Sequence, residues 1–173
     1  MLVDKSAHHA DGEIMQTALA HTGRRLLVAL EPGDDVLSCL ADACRAAGID
    51  QAVITTFSGA FRSVWVIAAD HAPEDPELPL PERCRVGYCE GIGSGTVTRD
   101  ANGEHVVHVH VAVGAKDRSG VAVAGHLLQA ETHYVVEVVL DEILEPALSR
   151  VVHPEASGVA ILHLTPCTTP DRS

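Results

Sequence analysis

Three histidines near the middle of the chain are spaced as metal ligands would be. His108 and His110 stand in the run Val106 to Val113, and His126 stands in the run Val121 to Leu128. Both runs are rich in β-branched residues, and the polar stretch Gly114 to Gly120 separates them, which predicts an antiparallel hairpin. Alternation along a strand then sets His108 and His110 on one face and Val107, Val109, Val111 and Val113 on the other. If Val113 pairs with Val121, His126 lies directly opposite His108, with His110 diagonal to it. Any register of that parity keeps the three imidazoles together, whereas a one-residue slip sends His126 to the far face. Three neutral imidazoles on adjacent strands are a ligand set for a divalent transition metal, zinc foremost, with a fourth position open to water or a ligand. The competing reading is a solvated sheet face on which histidines are tolerated, in a chain with 11 histidines among 173 residues. The spacing and the purely apolar opposite face favour the metal.

Beyond the histidines, a family pattern emerges. His108-x-His110, a turn containing Asp117 and Gly120, and Gly125-His126-Leu127 resemble the prokaryotic members of the PPC family, the domain shared by plants and prokaryotes. The likeness continues upstream in Leu30-Glu31-Pro32-Gly33-Asp34-Asp35-Val36 and from Ile49 to Ser58-Gly59-Ala60-Phe61. Downstream it takes in Glu137-Val138-Val139 and Ser157-Gly158. It departs at Ala124, where the family often has a second glycine, and in a long insert at 70–83. The resemblance divides the chain into a flexible segment 1–23, a PPC-like domain 24–165 and a disordered tail 166–173. It implies a homotrimer with metal sites near subunit boundaries, and a fold similar to that of acetolactate decarboxylase, which uses a His-x-His plus His zinc site. A shared fold does not transfer a reaction.

Composition narrows the classes of function. The chain fits one domain, and 46% hydrophobic residues with only 3% aromatics imply a core of Val, Leu, Ile and Ala. Apolar runs fall well short of the ~20 residues needed to cross a bilayer, and Met1 to Gly23 lacks a signal peptide's build, so the cytoplasm is the expected location. Cysteines 39, 44, 84, 89 and 167 form no Cys-x-x-Cys pair and read as reduced packing residues. A net charge of −12 repels nucleic-acid phosphates.

The elements that must position the histidines can be read in chain order. Residues 13–20 allow a short helical turn, and His8 and His9 carry no function. Arg24 to Leu30 is a first strand, and Asp34 or Gly33 can cap the helix that follows. Val36, Leu37, Leu40, Ala43, Cys44 and Ala47 recur at helical spacing before Gly48. Ile49 to Phe57 and Phe61 to Ala69 read as two strands, with Arg62 and Ser63 placed to meet an anion or simply solvated. Four prolines between Asp70 and Glu82 exclude ladder pairing there. Gly91-Ile92-Gly93-Ser94-Gly95 runs into a strand and lacks a full nucleotide fingerprint, so a bulge or a close backbone approach is expected. Tyr134 to Leu140 is a further strand; its Glu137 is either a supporting base near the histidines or a solvated carboxylate, and His133 is equally open. Asp141 to Arg150 reads as a turn or short helix, and Gly158 to Leu164 as a last strand with His163 as a partly buried, hydrogen-bonded core residue.

The fold expected is therefore α+β: an antiparallel-dominated, partly barrel-like sheet with one main helix. Three functions compete. The first is a homotrimer that binds zinc or another divalent metal through His108, His110 and His126, as an enzyme or not, with no catalytic residue assigned. The second is DNA binding, as the family implies for plant members; the missing Arg-Gly-Arg-Pro core and the charge argue against it. The third is a small-molecule sensor or scaffold.

Overall fold

The computed structural model describes residues 15–69, 72–80, 82–118, 121–152 and 156–165. In order these form β1 (His21–Leu30), α1 (Val36–Ala47), β2 (Ala52–Ile67), β3 (Arg83–Arg99), β4 (His105–Ala115), a 3-10 turn (Lys116–Arg118), β5 (Ala122–Glu145), β6 (Ala147–Val152) and β7 (Ala160–Thr165). His8, His9 and the segments 1–14 and 166–173 lie outside the described residues, and residues 15–20 carry no helical turn.

Strand β5, at 24 residues, is the spine. It pairs with β1, β2 and β4, while β3 joins β2 to β4, all antiparallel. β5, β2, β3 and β4 thus close into a four-stranded barrel, and β1 extends the sheet from β5. The expected α+β, barrel-like architecture is present. Inside lie Val109, Val111 and Val113 of β4, Leu127, Val136, Val138 and Leu140 of β5, and the stacked rings of Phe57 and Phe61 at 5.9 Å.

Helix α1 presents Val36, Leu40 and Cys44 to the sheet, so Cys44 packs as expected. Its cap is Asp35, whose carboxylate accepts from the Ser38 N–H at 3.0 Å. Asp34 is unavailable for capping because its side chain bends back to accept from Glu31 N–H at 2.8 Å. At the other end Gly48 takes the left-handed conformation, φ 63°.

Several boundaries differ from the sequence reading. Ser58-Gly59-Ala60 does not end a strand, and β2 runs unbroken. Gly59 is a crossing point: a Cβ there would stand 2.5 Å from the Val135 carbonyl oxygen. The second hairpin arm and the Tyr134 strand are one, because Ala130 and Thr132 carry the inward alternation through a stretch that lacks bulky apolar residues. Asp141 to Arg150 is no turn or helix; β5 continues to Glu145 and β6 follows. Residues 72–80 form no strand, as their prolines require, and Asp70, His71 and Pro81 lie outside the described residues.

Glycines 91, 93 and 95 are the close approach anticipated. Cβ atoms on them would meet the carbonyl oxygens of Ala112, His110 and His108 at 2.2, 2.7 and 2.0 Å. The stripe lets β3 lie against the strand that carries two of the histidines. Gly95→Ala should therefore destabilise the fold by about 1–3 kcal/mol, read as a lower midpoint in chemical denaturation. An unchanged midpoint would show that β4 does not need this approach.

Candidate metal centre

The hairpin forms with the predicted parity and a different partner. His110, not His108, lies opposite His126, and Val113 pairs with Val123. The shift arises because Gly114 stays in the ladder opposite Ala122, while Val121 leaves it and donates its N–H to the Arg118 carbonyl at 3.1 Å. Since the register remains even, all three imidazoles share the outer face, with Thr96 beside His108 and Ser94 beside His110 on β3.

The ring centroids of His108 and His126 are 4.5 Å apart, those of His108 and His110 5.2 Å, and those of His110 and His126 5.4 Å. One donor nitrogen from each lies within 4.8 Å of the others. Donors bound at 2.0–2.1 Å to a tetrahedral zinc ion sit about 3.4 Å apart, so the rings need to close by about 1.4 Å at most, within reach of side-chain rotation. His126 Nδ1 is buried without a hydrogen-bond partner, as are the Nδ1 atoms of His105 and His133 outside the cluster. The donor set is three nitrogens with no carboxylate or thiolate among the described residues, which suits zinc or another borderline divalent ion.

Gly125 sets the position of His126. A Cβ on Gly125 would lie 2.1 Å from the Ile67 carbonyl oxygen, so glycine lets β5 close on β2 just before the histidine. Ala124 is exposed, which explains why a second glycine is unnecessary there.

His108 and His126 are half-buried and His110 is exposed. Burial depresses His108 to about 4, helped by the charge of Arg150 and by the neighbouring His126 and His110. His126 is lowered by burial first, then by His110 and Arg150. Both rings therefore favour the neutral form that ligates.

Other candidates lie elsewhere. Glu137 sits opposite Ala29 and Ser58 and is not among the clustered donor groups. His133 packs on Tyr134 at 3.8 Å and against Tyr88 at 5.3 Å. Arg62 is committed to Glu131 at 2.8 Å. His163 is exposed rather than buried, because β6 and β7 form a two-stranded ribbon and its outer face is uncovered. The residue missed by the sequence reading is Arg150, on β6. It fell in the stretch Asp141 to Arg150 that the sequence reading took for a turn or short helix.

A closed antiparallel barrel with a helix on its flank and a three-histidine cluster on its outer face defines a class of small β-barrel domains. The chain belongs to the Plants and Prokaryotes Conserved (PCC) domain family, whose model matches residues 18–144. Among solved structures it is similar to a plant- and prokaryote-conserved protein of Pyrococcus horikoshii, at 24% identity over 86% of this chain and 97% of that one, with a TM-score of 0.69. A metal-containing protein of Archaeoglobus fulgidus matches at 23% identity, covering 86% and 99% of the two chains, with a TM-score of 0.66. A candidate DNA-binding protein of Bacteroides thetaiotaomicron matches at 22%, covering 84% and 98%, with a TM-score of 0.62. No curated protein matches the chain significantly in sequence.

The depressed imidazoles give a test with a definite sign. An unfolded histidine takes its proton near ~6.5, whereas folded His108 resists protonation down to about 4. Its share of stability is therefore intact above ~6.5 and is lost as pH falls toward about 4. In metal-free protein, the His108 ring proton resonances should stay in the neutral position through pH ~6. Titration at the ordinary value would show that the ring is open to water.

Proposed function

We propose that this PPC-type domain binds one divalent transition metal ion, zinc foremost, through His108, His110 and His126. The observation that carries this reading is the convergence of three donor nitrogens from two paired strands. The description of the Archaeoglobus relative as metal-containing supports it. Such an ion, when bound, supplies Lewis acidity and lowers the pKa of a bound water. The chain's part is to hold three neutral imidazoles on a rigid sheet with the outer side of the cluster open. The proposal is one of metal binding and assigns no catalytic residue.

The functional unit we assign is residues 24–165, assembled as a homotrimer. Leu27, Ile92, Tyr134, Val135 and Leu144 are large apolar side chains left exposed on one chain, and association would cover them. A cytoplasmic location agrees with the free thiols of Cys39, Cys44, Cys84 and Cys89. Among the described residues no helix is long and apolar enough to cross a membrane.

DNA binding is the second reading, favoured by the description of the Bacteroides relative. Charge opposes it. Beyond the net −12, five of the 12 Lys and Arg residues, Arg24, Arg25, Arg45, Arg62 and Arg99, are each paired with a carboxylate of this chain and so are less available to phosphates. Micromolar affinity for duplex DNA that weakens steeply with salt would reverse this order.

Elemental analysis with light scattering on untagged protein tests the main reading: one zinc per chain at a trimer's mass. His110→Ala should weaken zinc binding by about 100-fold or more yet keep the fold, because the exposed ring contributes little packing. A variant that holds zinc as tightly as the parent, or a monomer at micromolar concentration, would contradict the respective part.

A further inference from the structure

The charge nearest the histidines belongs to a strand outside the barrel. Arg150 projects from β6, and the ribbon it belongs to is anchored by Gln51, which donates to the carbonyls of Ile143 and Pro146 and accepts from Leu148 N–H at 2.7 Å. Arg150 Nη2 donates to the Thr96 hydroxyl at 2.9 Å, and Thr96 is the cross-strand neighbour of His108. Nη1 donates to the Ala160 carbonyl at 3.2 Å. Nε is buried and meets no acceptor among the described residues. Both bonds that Arg150 makes go to neutral oxygens, in contrast to the carboxylate-paired arginines of the surface.

A half-buried guanidinium with an unused donor costs free energy unless an acceptor reaches it. A divalent ion on three neutral imidazoles keeps its full charge, so the loaded site would hold two cations and, among the described residues, no anion. An anion with two oxygens balances that charge. One oxygen takes the open position on the ion and the other accepts a single charge-assisted hydrogen bond from the guanidinium.

We propose that Arg150 makes the three-histidine centre a carboxylate-binding site, the ligand being held between the metal ion and the guanidinium. This rests on the metal reading above and names the ligand class of the same site. Arg62, the cation the sequence offered for an anion, is neutralised by Glu131; Arg150 meets no carboxylate among the described residues.

The test uses cobalt(II) in place of zinc, because its visible absorption reports coordination, with acetate as the probe. Acetate should shift the bands of the cobalt-loaded protein saturably. Arg150→Met should take cobalt with parental affinity yet bind acetate about tenfold more weakly, the loss expected for a charge-assisted pair. Arg150→Lys keeps the charge on a shorter point donor and should fall between the two; it also provides the comparison if the methionine variant does not fold. Equal acetate affinity in the parent and in the folded variants would overturn the proposal while leaving the metal site standing. A parent protein that gives no cobalt bands would remove both.

Discussion

An even register between β4 and β5 is the condition on which the rest depends. It sets Val109, Val111 and Val113 into the barrel and leaves His108, His110 and His126 together outside it. A slip of one residue would exchange the two sets, exposing side chains whose burial contributes roughly 1.5 kcal/mol or more each and forcing imidazoles into the core. The register is held on both flanks of β4. The glycine stripe of β3 admits its carbonyls on one side, and the Gly114 and Ala122 pair fixes the hairpin on the other. The apolar pattern that folds the barrel is thus the same pattern that brings the three histidines together.

What could be read from the sequence follows from this coupling. Parity is a local property of alternating residues, so the shared face of the histidines was legible although the exact partner was not. Which residue opposed His126 depended on whether Gly114 or Val121 left the ladder, a turn detail that alternation does not encode. The helix was legible from its stripe and from Gly48, while its cap fell to Asp35 because Asp34 was drawn into the preceding turn. Strand length was the weakest point. Gly59 and the small or polar residues of mid-β5 look like interruptions in one dimension, and become crossings and inward positions only when another strand lies against them. That error hid β6 and with it Arg150.

Electrostatics separates the site from the rest of the surface. The surface arginines are mostly consumed in ion pairs with an excess of carboxylates, Arg24 with Glu142 at 2.7 Å among them. Around the histidines the balance is reversed, with neutral imidazoles, two hydroxyl-bearing neighbours in Ser94 and Thr96, and one guanidinium bonded only to neutral oxygens.

The central claim is that the three imidazoles hold one ion together, and X-ray absorption at the zinc edge on the loaded protein addresses it most directly. The expected result is a low-coordinate site whose shell includes three imidazoles, with their outer ring atoms visible in the scattering, at the 2.0–2.1 Å of zinc–histidine bonds. A shell with one imidazole or none, filled by water oxygens, would contradict it and leave the histidines as a solvated face of the barrel.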